Sequence, residues 1–292
     1  MPVRRSALAV PGSSEKMLEG ASRFPADELV IDLEDAVAAG LKGQARAGVC
    51  AVLSGGGVVF PGAVAVRVNT LAGPWGEADV VELAARAGSA IDSLVIPKVE
   101  SAAEVVAVER LLDAGGASAG AIRLQALVET AAGLLRAGEI AAASPRLDAL
   151  IIGYADLAAS LGRSPALAPR WWLYAQESVL VAARAAGVQA IDGPFLQLRD
   201  EEGLRRSAEH ARALGFDGKW AVHPGQLAVI NATFTPSPDE LARAEAILAA
   251  LADREGRGAV ELDGEMIDEA SCRLAREVVA RGRAAGVLGG PV

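Results

Sequence analysis

Several short apolar runs in this chain stop at a charged or polar group. One ends in Asp32-Leu33-Glu34-Asp35, the next in Arg67-Val68-Asn69, and later ones in Glu129-Thr130, Gly153-Tyr154-Ala155-Asp156, Asp192 and His223-Pro224. If those runs are neighbouring strands, their ends form a ring of carboxylates with one arginine and one histidine. Carboxylates that close repel one another unless a cation or a proton lies between them. With only two histidines in the chain, an imidazole-rich metal centre is excluded. All-oxygen donors suit Mg²⁺, which takes one or two carboxylates and completes its shell with water and substrate oxygens. Glu129 and Asp156 are the candidate direct ligands. The competing reading is that each caps a helix, Glu129 one beginning at Thr130 and Asp156 one over 157–161.

Glu34 and Asp35 are candidate acceptors for metal-bound water, or else a solvated loop with Asp35 opening a helix. Arg67 can neutralise the acidic ring, or anchor a substrate carboxylate or carbonyl through its planar fork; the two roles are compatible. Lys98, in Ile96-Pro97-Lys98-Val99-Glu100, could emerge as a Schiff-base lysine, but an ion pair with a neighbouring acid is preferred. His223 could be a base or could bond a loop, and both readings stay open. His210 lies mid-helix in polar sequence and is expected at the surface.

Strands are expected at 6–10, 28–32, 64–68, 93–96, 123–127, 149–153, 189–191 and 218–222. Amphipathic helical stretches lie between them at 77–87, 102–114, 131–142, 174–186 and 201–214. Strands alternating with helices predict βαβ units and a parallel sheet. Eight strands within about 220 residues fit a closed α/β TIM (β/α)₈ barrel, whose active sites lie at the carboxyl ends of the strands. No Gly-x-Gly-x-x-Gly follows the first strand, which weighs against a dinucleotide-binding sheet. After Pro236-Ser237-Pro238 the pattern changes to a helix running to about Glu255, a break at Gly256-Arg257-Gly258, an extended piece over 260–262 and a last helix over 267–285. The expected division is a barrel over 1–235 and a C-terminal helical lid or oligomerisation extension over 236–292.

Composition narrows the field. The chain has 292 residues, 52% of them hydrophobic but only 4% aromatic, so Ala, Val and Leu must fill a large core. A formal net charge of −9, from 28 basic and 37 acidic residues, argues against nucleic-acid binding, which needs an excess of cations. Cys50 and Cys272 cannot supply a disulfide framework or a zinc site and are expected as buried thiols. The apolar run after Arg4-Arg5 is too short for a signal peptide, and 47–66 is interrupted by Ser54-Gly55-Gly56-Gly57 and Pro61-Gly62. A cytoplasmic protein without a membrane span is expected.

Seven motifs, in order, resemble the citrate lyase β-subunit and malyl-CoA lyase family within the HpcH/HpaI aldolases. They are Arg5-Ser6-x-Leu8-x-Val10-Pro11-Gly12, Ile31-Asp32-Leu33-Glu34-Asp35-Ala36-Val37, Val66-Arg67-Val68-Asn69, Ile96-Pro97-Lys98-Val99-Glu100, Val128-Glu129-Thr130-Ala131, Gly153-Tyr154-Ala155-Asp156-Leu157-Ala158 and Gly218-Lys219-Trp220-Ala221-Val222-His223-Pro224. The resemblance implies a TIM-like barrel that cleaves or forms a carbon–carbon bond in a 3-hydroxyacyl-CoA, such as citryl-CoA or malyl-CoA, with Mg²⁺ or Mn²⁺. The products would be acetyl-CoA, or another acyl-CoA, and a 2-oxo acid such as oxaloacetate or glyoxylate. It assigns the metal to Glu129 and Asp156, substrate oxygens to Arg67 and Glu129, and the metal's outer surroundings to Glu34 and Asp35. In the malyl-CoA lyase branch a C-terminal lid supplies a catalytic acid to the neighbouring subunit; the similar stretch here, Asp263-Gly264-Glu265-Met266-Ile267-Asp268, makes Asp268 that candidate. A homotrimer or hexamer is implied as well.

That chemistry requires Arg67 to stabilise a developing oxyanion and Asp268, its pKa raised by burial, to protonate the enolate carbon. Arg4, Arg5 and Lys16 are candidate cations for the CoA phosphates. Two other classes compete: a metal aldolase acting on free hydroxy-oxo acids without CoA, and a non-catalytic acyl-binding subunit of a larger complex.

Overall fold

The computed structural model describes residues 3–56, 59–115, 119–164, 169–252 and 258–288. Gly57, the expected helix end near Glu255 and the break at Gly256-Arg257 lie outside them. The chain divides into two compact units, Met1–Asn231 and Ala232–Val292.

In the first unit β1 (Ser6–Pro11), β2 (Glu28–Asp32), β3 (Ala63–Arg67), β4 (Ser93–Ile96), β5 (Arg123–Val128), β6 (Leu147–Ile152), β7 (Gln189–Asp192) and β8 (Gly218–Ala221) pair in sequence order, all parallel. β8 returns to β1 through Ser6↔Lys219, Ala7↔Trp220 and Leu8↔Ala221, which closes the barrel. Outside run α1 (Glu15–Ala21), α2 (Lys42–Ser54), α3 (Gly76–Ala87), α4 (Ala102–Ala114), α5 (Ala131–Leu135), α6 (Ala137–Ala141), α7 (Tyr154–Ser160), α8 (Leu173–Ala186) and α9 (Glu201–Leu214). The single helix expected over 131–142 is two. Arg136 leaves helical geometry at φ −111°, ψ 16°, in a stretch weakened by Gly133 and Gly138.

The period of two along each strand sorts the barrel interior into layers. Ala7, Val30, Ala65, Val95, Leu127, Ala149, Ile151, Ile191 and Trp220 form the middle layer. Small side chains dominate it, as a chain poor in aromatics requires, and Trp220 fills the space they leave. Two residues earlier on their strands, Glu28, Ser93, Gln125 and Gln189 form a polar floor. Gln125 Nε2 donates to Glu28 Oε1 and Ser93 Oγ, each at 2.7 Å. β4 and β5 are neighbours, but β2 and β5 are not, so the bond from Gln125 to Glu28 crosses the interior. Arg4, 2% exposed, plugs the floor: Nε donates to Glu28 at 2.8 Å, Nη1 to Gln189 at 2.6 Å and Nη2 to Asp148 at 3.0 Å. A Cβ on Gly218 would overlap the Arg4 carbonyl, so β8 must begin with glycine for the chain to enter there.

α10 (Leu227–Phe234) carries the chain into the second unit. There α11 (Pro238–Ala252) packs on α12 (Glu269–Ala284) through Ala244, Ala275 and Val279. Between them lies an antiparallel hairpin, β9 (Val260–Leu262) and β10 (Glu265–Ile267). Asp263 and Gly264 have φ of 54° and 82°, the Asp-Gly pair that favours a two-residue turn. That turn is why the last helix starts at Glu269 and not at 267 as expected: Ile267 belongs to the returning strand. Cys50 and Cys272 are buried free thiols. No described helix is long and apolar enough to cross a membrane.

Removing the plug leaves Glu28 buried without a counter-charge and Asp148 with only Arg123 Nε, at 3.9 Å. Arg4→Met should lower stability by about 3–5 kcal/mol, read as a lower denaturation midpoint in urea; a loss below about 1 kcal/mol contradicts the plug.

Candidate active site

Two positions beyond the middle layer, the same period places Ala9, Asp32, Arg67, Glu129, Gly153 and Val222 around a cavity of about 440 Å³ at the carboxyl ends of the strands. Asp35, Ala155, Asp156 and Pro194 complete its rim.

Asp32 and Arg67 are register partners on β2 and β3. The guanidinium grips the carboxylate with two bonds, Nε to Oδ1 at 2.8 Å and Nη2 to Oδ2 at 2.6 Å. Asp32 also accepts the backbone N–H groups of Glu34 at 2.8 Å and Ala36 at 3.0 Å, which folds the loop after β2 over the mouth. From below, buried Lys42 donates to the carbonyls of Leu33 and Glu34 at 3.1 and 2.8 Å and to Asn69 Oδ1 at 2.6 Å. Glu34 therefore faces Arg67 Nη1 at 3.0 Å, while Asp35 stays half-exposed at the rim. Asp35 opens no helix; the next turn begins at Ala39.

Among the described residues Lys98 is one of two non-glycine residues with positive φ, at 51°. That backbone state disfavours an L-residue by about 1–2 kcal/mol, and here it aims both ends of the residue at acids. The backbone N–H donates to Glu129 Oε1 at 2.9 Å. Nζ bonds Glu34 and lies 3.4 Å from Asp35 and 3.7 Å from Asp156. Burial works to lower the Lys98 pKa, but the bond and charge of Glu34, with Asp35 and Asp156, raise it. The ion pairs bear out the preferred reading, and the raised pKa works against a Schiff-base role, which needs the neutral amine.

Glu129 lies against Gly153, where any Cβ would overlap its carboxylate. It is 2% exposed. Burial and then the like charge of Asp156 push its pKa up to about 8, against the pull of Arg67. Glu34 is also raised, by burial first, while Asp35 is lowered because Lys98 and Arg67 outweigh its burial. Neither Glu129 nor Asp156 is a helix cap: Thr130 caps α5, accepting the Gly133 N–H, and Asp156 lies inside the first turn of α7. No three His, Cys, Asp or Glu side chains among the described residues form a metal-ligating cluster. The mouth offers Glu129 and Asp156 as a pair, a donor set that Mg²⁺ can use with water and substrate oxygens.

The remaining expected residues separate. Arg4 is in the floor, and Arg5, on the same side, pairs with Asp27 at 2.7 Å, so both are at the amino ends of the strands, away from the mouth. Their positions next to the first strand misled the sequence argument, because they precede it. Lys16 is exposed on α1, which follows the carboxyl end of β1. Asp268, in the second unit, caps α12 in a capping box, accepting from Ala270 N at 2.9 Å and Ser271 N at 3.1 Å. Those bonds, Ser271's first, lower its pKa, the opposite of what an acid role asks of it. His223 Nδ1 accepts the Gly225 N–H at 3.1 Å, which settles on the loop-bonding reading. His210 is half-buried, its Nε2 lying 3.2 Å from Gln176 Oε1, and so is not the surface residue expected.

Sequence reasoning passed over Asp32, Lys42 and Asn69. For Asp32 the signal was present: it stands two residues after inward-facing Val30. Asn69 was noted at a strand end and in a motif but given no role, and Lys42 carries no motif; both act through backbone carbonyls. Tyr154 was also passed over. Its hydroxyl donates to Asp192 at 2.5 Å and accepts from Gln176 at 2.7 Å.

A parallel barrel with this mouth defines a class of carboxylate-lined TIM-barrel proteins. The chain belongs to the HpcH/HpaI aldolase/citrate lyase family, which matches residues 5–224. It is 38% identical to the L-malyl-CoA/beta-methylmalyl-CoA lyase of Rhodobacter capsulatus over 310 residues, covering 98% of this chain and 96% of that one. It is 40% identical to the (3S)-malyl-CoA thioesterase of Cereibacter sphaeroides over 285 residues, covering 96% and 95%. Among solved structures it is similar to the CitE protein of Mycobacterium tuberculosis in complex with magnesium, acetoacetate and coenzyme A. That likeness has a TM-score of 0.76 and 32% identity over 95% of this chain and 97% of the other.

Lys98→Met removes the charge that holds Glu34 and Asp35 down. Both carboxyls should then titrate at higher pH by ¹³C NMR; unchanged titration of Glu34 contradicts the ion-pair assignment.

Proposed function

We propose that this protein is a Mg²⁺-dependent lyase that cleaves, or in reverse forms, the carbon–carbon bond of a 3-hydroxyacyl-CoA of the malyl-CoA type. The products are a smaller acyl-CoA and a 2-oxo acid. The observation that carries the reading is Glu129, buried at the mouth beside Asp156, its pKa pushed up to about 8 by burial and then by that like charge, which a bound cation would relieve. Family membership and the malyl-CoA lyase relatives support the substrate class.

In this reading Glu129 and Asp156 hold the metal. When bound, Mg²⁺ supplies Lewis-acid charge for the oxygens of the acid half of the substrate. Lys98 and Arg67 hold Glu34 and Asp35 facing the mouth, where they accept hydrogen bonds from ordered water. Arg67 has spent Nε, one Nη2 hydrogen and one Nη1 hydrogen on Asp32 and Glu34. One hydrogen remains on each terminal nitrogen for an oxygen that gains charge as the bond breaks. Loss of the hydroxyl proton sends the bonding pair to the thioester α-carbon, which takes up a proton. Asp268 of a neighbouring subunit in a trimer or hexamer is the proposed carrier of that proton. Its ionised state as a helix cap suits taking the proton in condensation; giving one in cleavage requires an added burial. Lys16 is the remaining candidate of the three for the CoA phosphates.

The relative named as a thioesterase gives hydrolysis of the thioester as a second reading. Product analysis separates the two: glyoxylate and acetyl-CoA from lysis, malate and free CoA from hydrolysis. Full turnover of malyl-CoA and citryl-CoA in excess chelator overturns the metal-dependent reading.

Glu129→Ala and Asp156→Ala should each abolish turnover while leaving the melting temperature within a few degrees. In the metal-free protein Glu129 holds a proton below about pH 8, so Mg²⁺ must displace it. Mg²⁺ affinity should then rise about tenfold per pH unit up to that point and level off above it. Calorimetry showing pH-independent affinity between 6 and 8 contradicts Glu129 as a ligand. Asp268→Asn keeps a capping acceptor and should lower kcat at least about tenfold with little change in melting, whereas Asp268→Ala adds a cap loss of about 1 kcal/mol. Equal kcat for wild type and Asp268→Asn removes Asp268 from the chemistry.

A further inference from the structure

A second cavity of about 390 Å³ is lined by Trp172, Gln176, Phe195, Leu196, Arg206 and His210, among others. Tyr154, Ala155 and Pro194 line both this cavity and the one that holds Glu129 and Asp156. Of the three, only the tyrosine ring is large enough to act as a partition.

The ring is held at one face, along one edge and at its tip. One face meets Trp172, the centroids 5.4 Å apart and the planes tilted by 60°. A Cβ on Gly193 would lie 2.4 Å from the Ile152 carbonyl oxygen and 2.8 Å from Tyr154 Cδ2, so the glycine lets the backbone and the ring edge approach. At the tip, the hydroxyl donates to Asp192 and accepts from Gln176. Asp192 is itself fixed by the buried ammonium of Lys219 at 2.5 Å, and Lys219 is fixed by the Gly193 carbonyl at 2.7 Å. A buried ion pair beneath one tyrosine hydroxyl makes a stiff wall, since rotating the ring would strand a charged acceptor. Beyond it the second cavity is mixed: Ala155, Trp172, Pro194, Phe195 and Leu196 give it an apolar part that an alkyl tail would fill, while Gln176, Asp200, Arg206 and His210 belong to its polar part.

We propose that Tyr154 is a specificity-determining wall: its ring limits the side chain of the 2-oxo acid bound beside Glu129 and Asp156 to a short one, by closing off a chamber whose apolar part would otherwise take an alkyl tail. This rests on the lyase reading, which puts a 2-oxo acid at the mouth. Shortening Tyr154 joins the two cavities.

The test is binding, measured by calorimetry with Mg²⁺ and the series pyruvate, 2-oxobutyrate and 2-oxohexanoate, for wild type, Tyr154→Phe, Tyr154→Leu and Tyr154→Ala. Melting curves confirm that each variant is folded, and the leucine variant serves if the alanine one is not. Wild type and Tyr154→Phe should prefer pyruvate. In Tyr154→Ala the ratio of 2-oxohexanoate to pyruvate affinity should rise at least about tenfold, the worth of about two buried methylenes, with a smaller rise in Tyr154→Leu. An unchanged ratio in a folded alanine variant, or the same rise in Tyr154→Phe, overturns the wall. If wild type binds no 2-oxo acid at all, the lyase reading falls and the wall falls with it.

Discussion

The mouth of this barrel crowds five carboxylates, Asp32, Glu34, Asp35, Glu129 and Asp156, around two cations, Arg67 and Lys98. The two cations are committed to the acids of the loop after β2, which leaves Glu129 and Asp156 with the uncompensated charge. Lys98 touches Asp156 only at 3.7 Å and meets Glu129 only through its backbone. Burial makes charge costly at Glu129, so a further cation at this pair, as proposed, would relieve it. A substrate that brings its own carboxylate cannot enter without one.

That arrangement follows from strand geometry. A period of two sets polar floor, apolar layer and acidic mouth at successive inward positions, as in Glu28, Val30 and Asp32 on a single strand. Register then makes Asp32 and Arg67 neighbours, and Asp32 in turn templates the loop that carries Glu34 and Asp35. Glycines let backbone and carboxylate approach: Gly218 admits Arg4 to the floor and Gly153 lies under Glu129. Arg4 below and Arg67 above do the same thing for opposite ends of the barrel, each neutralising acids that the small-residue middle layer cannot shield.

Much of the barrel was legible in the sequence because β-branched and apolar runs of four to six residues ended in polar groups. The ranges 28–32 and 93–96 are the strands observed. The candidate site was legible to the extent that it sits at strand ends: Glu34, Asp35, Arg67, Glu129 and Asp156 do come together at the mouth or its rim. What escaped was anything set by backbone direction. Arg4 and Arg5 were placed on the wrong side because their order relative to β1 was not used. The positive φ of Lys98, which turns an ordinary lysine into a clamp on two acids, has no signature after Pro97. Asp268 was read for its chemistry while its cap, spelled by Asp268 and Ser271 three residues apart, was overlooked.

The proposed function places one divalent ion between the Glu129 and Asp156 side chains. Crystals grown with Mn²⁺ and a small 2-oxo acid, with data collected at the manganese edge, locate that ion directly by its anomalous signal. A peak bridging the Glu129 and Asp156 carboxylates is the expected result. A peak on Glu34 and Asp35 with Glu129 turned away, or none at the mouth, contradicts it.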